Sequence, residues 1–406
     1  SSYVDATSGA VEHCEMMANL YADLAEPYRN MATLCRSKLW HPLTMAVLEF
    51  LLQPNNLRSE EGNSFLALYD RLVLRVEKKL NPLSLARIAS AVADSLLPSD
   101  GTAAKAVLEN LLEKKARLGV PATLYLESKL HLLTLTIVEK DHAGDGDLAT
   151  LLRPVQESLK QNASRLGELA VDPSTTLVHS AHYECSMKYR KAVGPPEAFY
   201  QEALRYLNYT PLEDVEDPQT LAMDLSLAAL TGDGVFGFGQ VVSAPLLQVL
   251  RQNPSQSWWV DLLDTLATGD VAAFGHLTKE HEAEMEAQPA LVHRAHVVQE
   301  KITLLALVNM VFERSSAERT LTFEEIAERI QKETKDVEGV MMRALSLKLM
   351  EGWIDQVSQQ VHVTWVMPRV LTQDQRKELA SRFGEWAVKV SKTKDYMDEH
   401  TPSLFA

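Results

Sequence analysis

The stretch WIDQVSQQVHVTW, Trp353 to Trp365, alternates in a chain whose other segments follow a helical period. Ile354 is followed by Asp355. Val361, Val363 and Trp365 share one face of an extended strand, with His362 and Thr364 on the other. QVSQQV between them supplies a turn, and Pro368 closes the second strand because it has no N–H for a ladder. Just upstream, Thr322-Phe323-Glu324-Glu325 has the spacing of a capping box, in which a Thr oxygen and a Glu carboxylate satisfy each other's backbone N–H. Phe323, Ile326, Ala327 and Ile330 then make one apolar helical face. A second helix is expected from about Asp336 to Met350, with Val337, Val340, Met341, Ala344 and Leu345 inward and Gly352 breaking it. Helices followed by one hairpin are the order of a winged helix.

Working outward, the helical period holds almost everywhere. Leu68, Leu72, Val76 and Leu80 lie at successive fours. Asn81 is an N-cap candidate with Pro82 just inside its helix. TAAKAVLENLLEKKARLG is read as one helix ending at Gly119. Short breakers such as DHAGDGD, VDPS and GPP separate runs long enough for helices. This rhythm predicts helix pairs stacked in series, without a strict repeat. The run Ile302–Phe312 is strongly apolar and expected to be buried. After the hairpin, Leu379, Phe383, Trp386 and Val390 fall at spacings of four, three and four, the seam of a helix that packs on other helices.

Composition narrows the function. The formal net charge of -15 argues against a phosphate-binding surface. The 3 cysteines, Cys14, Cys35 and Cys185, are far apart and odd in number, which points to free thiols in a reducing compartment. No run reaches the ~18 consecutive apolar residues of a membrane span, and SSYVDATSGA lacks the order of a secretory signal. The expectation is a protein of the cytoplasm and nucleus.

Each chemical motif in the sequence also has a plainer structural reading. Gly232-Asp233-Gly234-Val235-Phe236-Gly237 satisfies G-x-G-x-x-G, but a dinucleotide loop must follow a strand, and LAMDLSLAAL before it reads as helix. The plainer reading is a tight turn with Phe236 and Phe238 plugging the core. His179, His182 and Cys185 share a helical face without a fourth donor for zinc, and His293 with His296 reads the same way. His276, Glu280, His281 and Glu282 do not make H-E-x-x-H. No metal, cofactor or catalytic residue is assigned, and no enzymatic activity is expected. As a DNA reader, the second helix offers Arg343 and Lys348 against Asp336 and Glu338, and the wing tip carries no Arg or Lys. Its strand edge is instead a ready template for a protein neighbour.

Helix pairs ending in a winged helix resemble the layout of PCI-domain proteins, the scaffold subunits of the proteasome lid, the signalosome and a translation initiation factor. SKLWHPLTMAVLEF (37–50), KLNPLSLARI (79–88), LTGDGVFGFGQ (230–240), LTFEEIA (321–327) and VHVTWVMPRVL (361–371) look like matching segments of a proteasome lid subunit of that family. The match is collinear across most of the chain. The regions 52–64, 140–176 and 278–290 depart from the pattern. The resemblance implies a mainly α fold: an irregular, TPR-like helical-repeat array, a winged-helix PCI module and a C-terminal helix. The implied divisions are an N-terminal helical segment 1–30, an arm 31–210, the helical part of the PCI domain 211–315, the winged helix 316–371, and a bundle helix with tail 372–406. It further implies a non-catalytic lid scaffold within a hetero-oligomer, with neither nucleic acid nor membrane as partner. Other lid subunits would be met through winged-helix edges, at Ile354, Val361, Val363 and Trp365. A C-terminal helical bundle would engage Leu379, Phe383, Trp386 and Val390. A PCI scaffold of the signalosome or initiation factor, or a winged-helix nucleic-acid binder, are the alternatives.

Overall fold

The computed structural model describes residues 2–58, 63–141, 148–314, 319–368 and 373–400. Most of the DHAGDGD breaker, residues 142–147, and the end of the VHVTWVMPRVL run, residues 369–371, lie outside the described residues, as does the tail after residue 400. Two compact units form, Ser1–Glu216 and Asp217–Ala406.

Among the described residues, the regular elements of the first unit are all helices. Consecutive helices pack as pairs: Ser2–Leu20 on Ala25–Arg36, Pro82–Leu96 on Gly101–Leu112, and Thr176–Val193 on Pro196–Tyr209. Local chemistry sets their starts. Asn81 Oδ1 accepts the N–H groups of Leu83 at 2.9 Å and Ser84 at 3.3 Å, and Asp100 caps the next helix in the same way. The run expected to be one helix to Gly119 is split: a turn at Glu113 and Lys114 precedes Lys115–Asp141, which itself breaks at Gly119. There φ is +74°, a conformation glycine adopts without a Cβ clash. Leu68, Leu72, Val76 and Leu80 are all buried, although a π-helical turn at Tyr69–Val73 interrupts the α period between them. One continuous apolar core runs from Ala10 to Ala181. Lys129 Nζ lies 2.9 Å from Glu184 Oε2, and Lys188 lies 3.3 Å from the other oxygen of that carboxylate.

The second unit surrounds one helix, Ala295–Glu313, here α1, which is buried from Lys301 to Val311. It is 19 residues long and its most apolar 18-residue window has a mean hydropathy of 1.3, so by length and composition it could cross a membrane. Its apolar residues are instead covered by helices of its own unit: Pro218–Thr231, Ser257–Thr268, Val271–Glu280 and Phe323–Ile330. The last of these is α2. It is followed by α3 (Thr334–Ser346) and, at the C-terminal end, α4 (Gln373–His400).

Among the described residues, three strands complete the unit: β1 (Thr320–Thr322), β2 (Met350–Asp355) and β3 (Gln360–Val366), in the order β1-β3-β2, all antiparallel. Three expectations change here. The sheet has three strands where a lone hairpin was expected, because Thr320–Thr322 adds to β3. Helix α3 stops at Ser346, through a turn in which Lys348 takes φ +55°. Gly352 therefore does not end a helix. It lies inside β2, where an added Cβ would stand 2.1 Å from the His362 carbonyl oxygen, so glycine marks a close backbone approach. On α3, Val337, Met341 and Ala344 are buried, with Val340 and Leu345 half-buried.

Candidate protein-docking surfaces

The wing is positioned from both ends. Thr322 Oγ1 accepts the Glu325 N–H at 3.2 Å, and Glu325 Oε2 accepts the Thr322 N–H at 2.9 Å, so the capping box is formed. The Thr322 N–H first, and then Arg314, hold the Glu325 carboxyl below the usual carboxylate range. Phe323, Ile326, Ala327 and Ile330 are buried beneath it. At the far end Asp355 builds the tip. Its carboxylate accepts the N–H groups of Val357 (3.1 Å) and Ser358 (3.0 Å) and the Ser358 hydroxyl (2.6 Å). Those bonds, led by the Ser358 hydroxyl, keep Asp355 ionised below its ordinary range. Val357 stands 97% exposed at the tip.

A β-bulge decides which side chains face out. Gly352 pairs with Val363 but Glu351 pairs with Trp365, so Thr364 is an extra residue in β3. One extra residue reverses the alternation beyond it. Val361 and Val363, expected at the partner contact, are buried, Val366 takes the next core position and Trp365 turns to the outer face. The expected grouping of Trp365 with Val361 and Val363 is thus corrected. Those two valines belong to the core of the unit, with Leu321 beside them, and Ile354 is half-buried on the same face. The outer face instead gathers Trp353, His362 and Trp365. Trp353 is 58% exposed and stacks on the His362 ring at 5.0 Å, while Trp365 is 40% exposed. His362 Nδ1 lies 3.0 Å from Thr320 Oγ1, a structural contact across the sheet.

The two sheet edges differ. Val363 N–H donates to Arg319 O and Phe323 N–H to Gln359 O, both at 2.9 Å. The alternation of an antiparallel ladder then turns the backbone groups of Thr320 and Thr322 away from β3. Both ends of that edge are engaged within the unit. Arg314 Nη1 donates to Thr320 O at 3.3 Å, Glu325 accepts the Thr322 N–H, and Arg314 and Glu325 pair at 3.0 Å. On the other side, Trp353 and Asp355 face His362 and Gln360, so Gly352 and Ile354 turn their backbone groups outward. Among the described residues, no hydrogen bond is made to those outward groups. The β2 edge is the open one.

Helix α4 carries the second surface. Leu379, Phe383, Trp386 and Val390 are all exposed, Phe383 by 60% and Trp386 by 65%. Met397 continues the same seam, seven residues beyond Val390.

Elsewhere the candidate chemistry takes ordinary structural roles. Gly232–Gly237 follows the helix Pro218–Thr231, and Phe236 and Phe238 are buried. Arg294 ties this turn by donating to Thr231 O at 2.9 Å. His179 and His182 are buried on one helix. His179 stacks on Tyr209 at 4.8 Å, and burial brings His182 down to about 4. Burial pushes the Cys185 thiol far up, leaving it a protonated apolar side chain. Among the described residues, no group of three or more His, Cys, Asp or Glu is placed to hold a metal ion. On α3, Arg343 pairs with Glu300 at 2.6 Å.

Comparison with known proteins matches the geometry. Residues 27–263 fit the family model of PSD13 N-terminal repeats, and residues 278–365 fit that of the PCI domain. The chain is 32% identical to 26S proteasome non-ATPase regulatory subunit 13 homolog A of Arabidopsis thaliana, covering 98% of this chain and 99% of that one. It is 29% identical to 26S proteasome non-ATPase regulatory subunit 13 of Dictyostelium discoideum over 99% of this chain and all of the relative. Against 26S proteasome regulatory subunit RPN9 of Saccharomyces cerevisiae, identity is 27% with 91% of each chain covered.

Proposed function

The chain belongs to the family with PSD13 N-terminal repeats and a PCI domain, and from that membership we propose that it is a non-catalytic scaffold subunit of the 26S proteasome regulatory particle lid. The observation that carries the reading is similarity over nearly the whole length to chains named as non-ATPase regulatory subunits. In this role it supports lid assembly and, through it, ubiquitin-dependent protein degradation in the cytoplasm and nucleus.

The two exposed surfaces suit that role physically. An open strand edge is a template on which a neighbour's strand can add, and β2 supplies one. An apolar seam holding Phe383 and Trp386 is costly in water and gains by burial among other helices. We assign the helical-repeat arm to 31–210, the helical part of the PCI domain to 211–315, the winged helix to 316–371 and the bundle helix with its tail to 372–406. Ile354 and Trp365 lie at the wing contact, with Val361 and Val363 holding the strand in place from beneath. Leu379, Phe383, Trp386 and Val390 form the bundle contact.

Nucleic acid is not assigned as a partner. The wing from Met350 to Val366 contains no Lys or Arg, and Arg343 on α3 is occupied by Glu300. The test is affinity purification of the tagged chain followed by mass spectrometry, with a salt titration against DNA and RNA. Co-purifying proteasome subunits in defined ratios are expected. A lone monomer, or tight nucleic-acid binding that weakens steeply with salt, contradicts the reading.

A further inference from the structure

Two hollows in the surface of the first unit, of about 240 and 450 Å³, share Pro82 and Leu118 as a common wall and so form one groove. Its floor and sides are largely apolar. Leu80, Leu85 and Leu118 are buried beneath it, Leu83 and Leu177 are half-buried, and Pro82 is exposed. Its charges are one-sided. Lys78, Lys114 and Arg117 line the smaller hollow, and Arg87 with His41 lines the larger. Among the described residues, Glu77 is the one carboxylate in the lining, and both its oxygens are taken, by Lys114 at 2.8 Å and Arg117 at 3.0 Å. On a chain of net charge -15, this excess of cations is a local feature.

Part of that charge has a structural cause. Lys114 follows the end of the helix Gly101–Leu112, where a cation suits the helix dipole. Arg87 has no such cause. It lies in the second turn of Pro82–Leu96, toward the positive end of that helix. It is half-buried and, among the described residues, makes no ion pair; Lys78 makes none either. A half-buried guanidinium loses solvation that no carboxylate here makes good. A carboxylate from outside the chain would stabilise it.

The groove therefore suits an occupant that is anionic and partly apolar. Nucleic acid fits poorly, because the described lining holds no Phe, Tyr or Trp on which a base could stack. The net charge of the whole chain also repels a polyanion. Resting on the scaffold reading above, we propose that this groove in the helical-repeat arm docks an acidic segment of a partner protein. Asp or Glu would lie against Lys78 and against Arg87, with an apolar residue between them on Pro82 and Leu118. This gives the arm a contact of its own, in addition to those of the winged helix and the C-terminal seam.

The test uses the full chain in cells. A photo-reactive benzophenone amino acid replaces Pro82, which is exposed and lines both hollows. The cells are irradiated, the tagged chain is purified, and the cross-linked peptide is sequenced by mass spectrometry. The expected product joins position 82 to a segment of another protein with Asp or Glu on both sides of an apolar residue. Lys78→Glu, at an exposed position, and Arg87→Glu should each lower the yield about fivefold to tenfold, while Arg87→Lys keeps most of it. Melting of the free Lys78→Glu chain should be unchanged, which separates lost docking from lost folding. A cross-link to a basic or uncharged segment, a nuclease-sensitive product, or a yield indifferent to Lys78→Glu overturns the inference. So does a particle that assembles without any cross-link from position 82. In each of these cases the scaffold reading stands. If no proteasome subunit co-purifies with the unaltered chain, the scaffold reading falls and this inference with it.

Discussion

Replacing Phe383 and Trp386 together by Ala separates a docking helix from a structural one. In the free chain these rings are 60% and 65% exposed, so removing them takes away little existing packing. Full side chains of this kind bury ~150–250 Å² each, so the exposed parts offer roughly 280 Å² to a partner. At ~25 cal/mol per Å² that is about 7 kcal/mol as an upper bound. Association seldom realises the full area value. A loss of about 2–3 kcal/mol, roughly 30- to 150-fold in affinity, is the working expectation. The assay has two arms. Urea unfolding of the isolated variant should match the parent within about 0.5 kcal/mol, the usual range for exposed positions. Quantitative mass spectrometry of particles formed in competition with the parent chain should show the variant strongly depleted. Equal incorporation, or a free chain destabilised by more than about 1 kcal/mol, refutes the assignment of this seam to a partner.

Other perturbations test the interior. Gly352→Ala forces a Cβ against the His362 carbonyl and the Val363 backbone, and should cost about 1–3 kcal/mol in the unfolding of the second unit, measured by denaturant titration. Lys129→Met leaves Glu184 with Lys188 at 3.3 Å, so the cost should be about 2 kcal/mol, below the ~3–5 usual for breaking a buried pair. Glu184→Leu added to it should recover part of that loss. The pH dependence follows from His182, which burial first, then the charges of His179 and His131, lower from 6.5 to about 4. Between those values the unfolded chain binds the proton that the folded chain refuses. Stability should therefore be full above about pH 6.5 and fall as the pH drops toward 4, and His182→Leu should flatten that slope in melting curves.

Much of the fold is legible in the sequence, because long helices repeat their signal. Leu68, Leu72, Val76 and Leu80 are buried even across a π-helical turn, since each lies on the same core-facing side. The capping box at Thr322 is legible because both its bonds join residues three apart. What escaped depends on pairing at a distance. Thr320–Thr322 is too short to show alternation, and it is a strand only because residues 360–362 lie beside it. The bulge at Thr364 is invisible to a count of two, which groups Trp365 with Val361 and Val363 although it lies on the opposite face. Gly352 after a helical run has the spacing of a helix stop, and its real cause is the His362 carbonyl across the ladder. The seam on α4 was readable because its period lies within one helix. Its exposure, which makes it a candidate contact, needed the structure.

The proposed place of this chain in the lid, with its C-terminal helix as the anchor, is open to a direct test. The direct measurement compares the tagged full chain with one ending at residue 372, each purified from cells and weighed intact by native mass spectrometry. The full chain is expected at one copy within a large multi-subunit particle, and the truncated chain folded but largely outside it. Full incorporation of the truncated chain, or recovery of both as free monomers, contradicts a lid subunit anchored by its C-terminal helix.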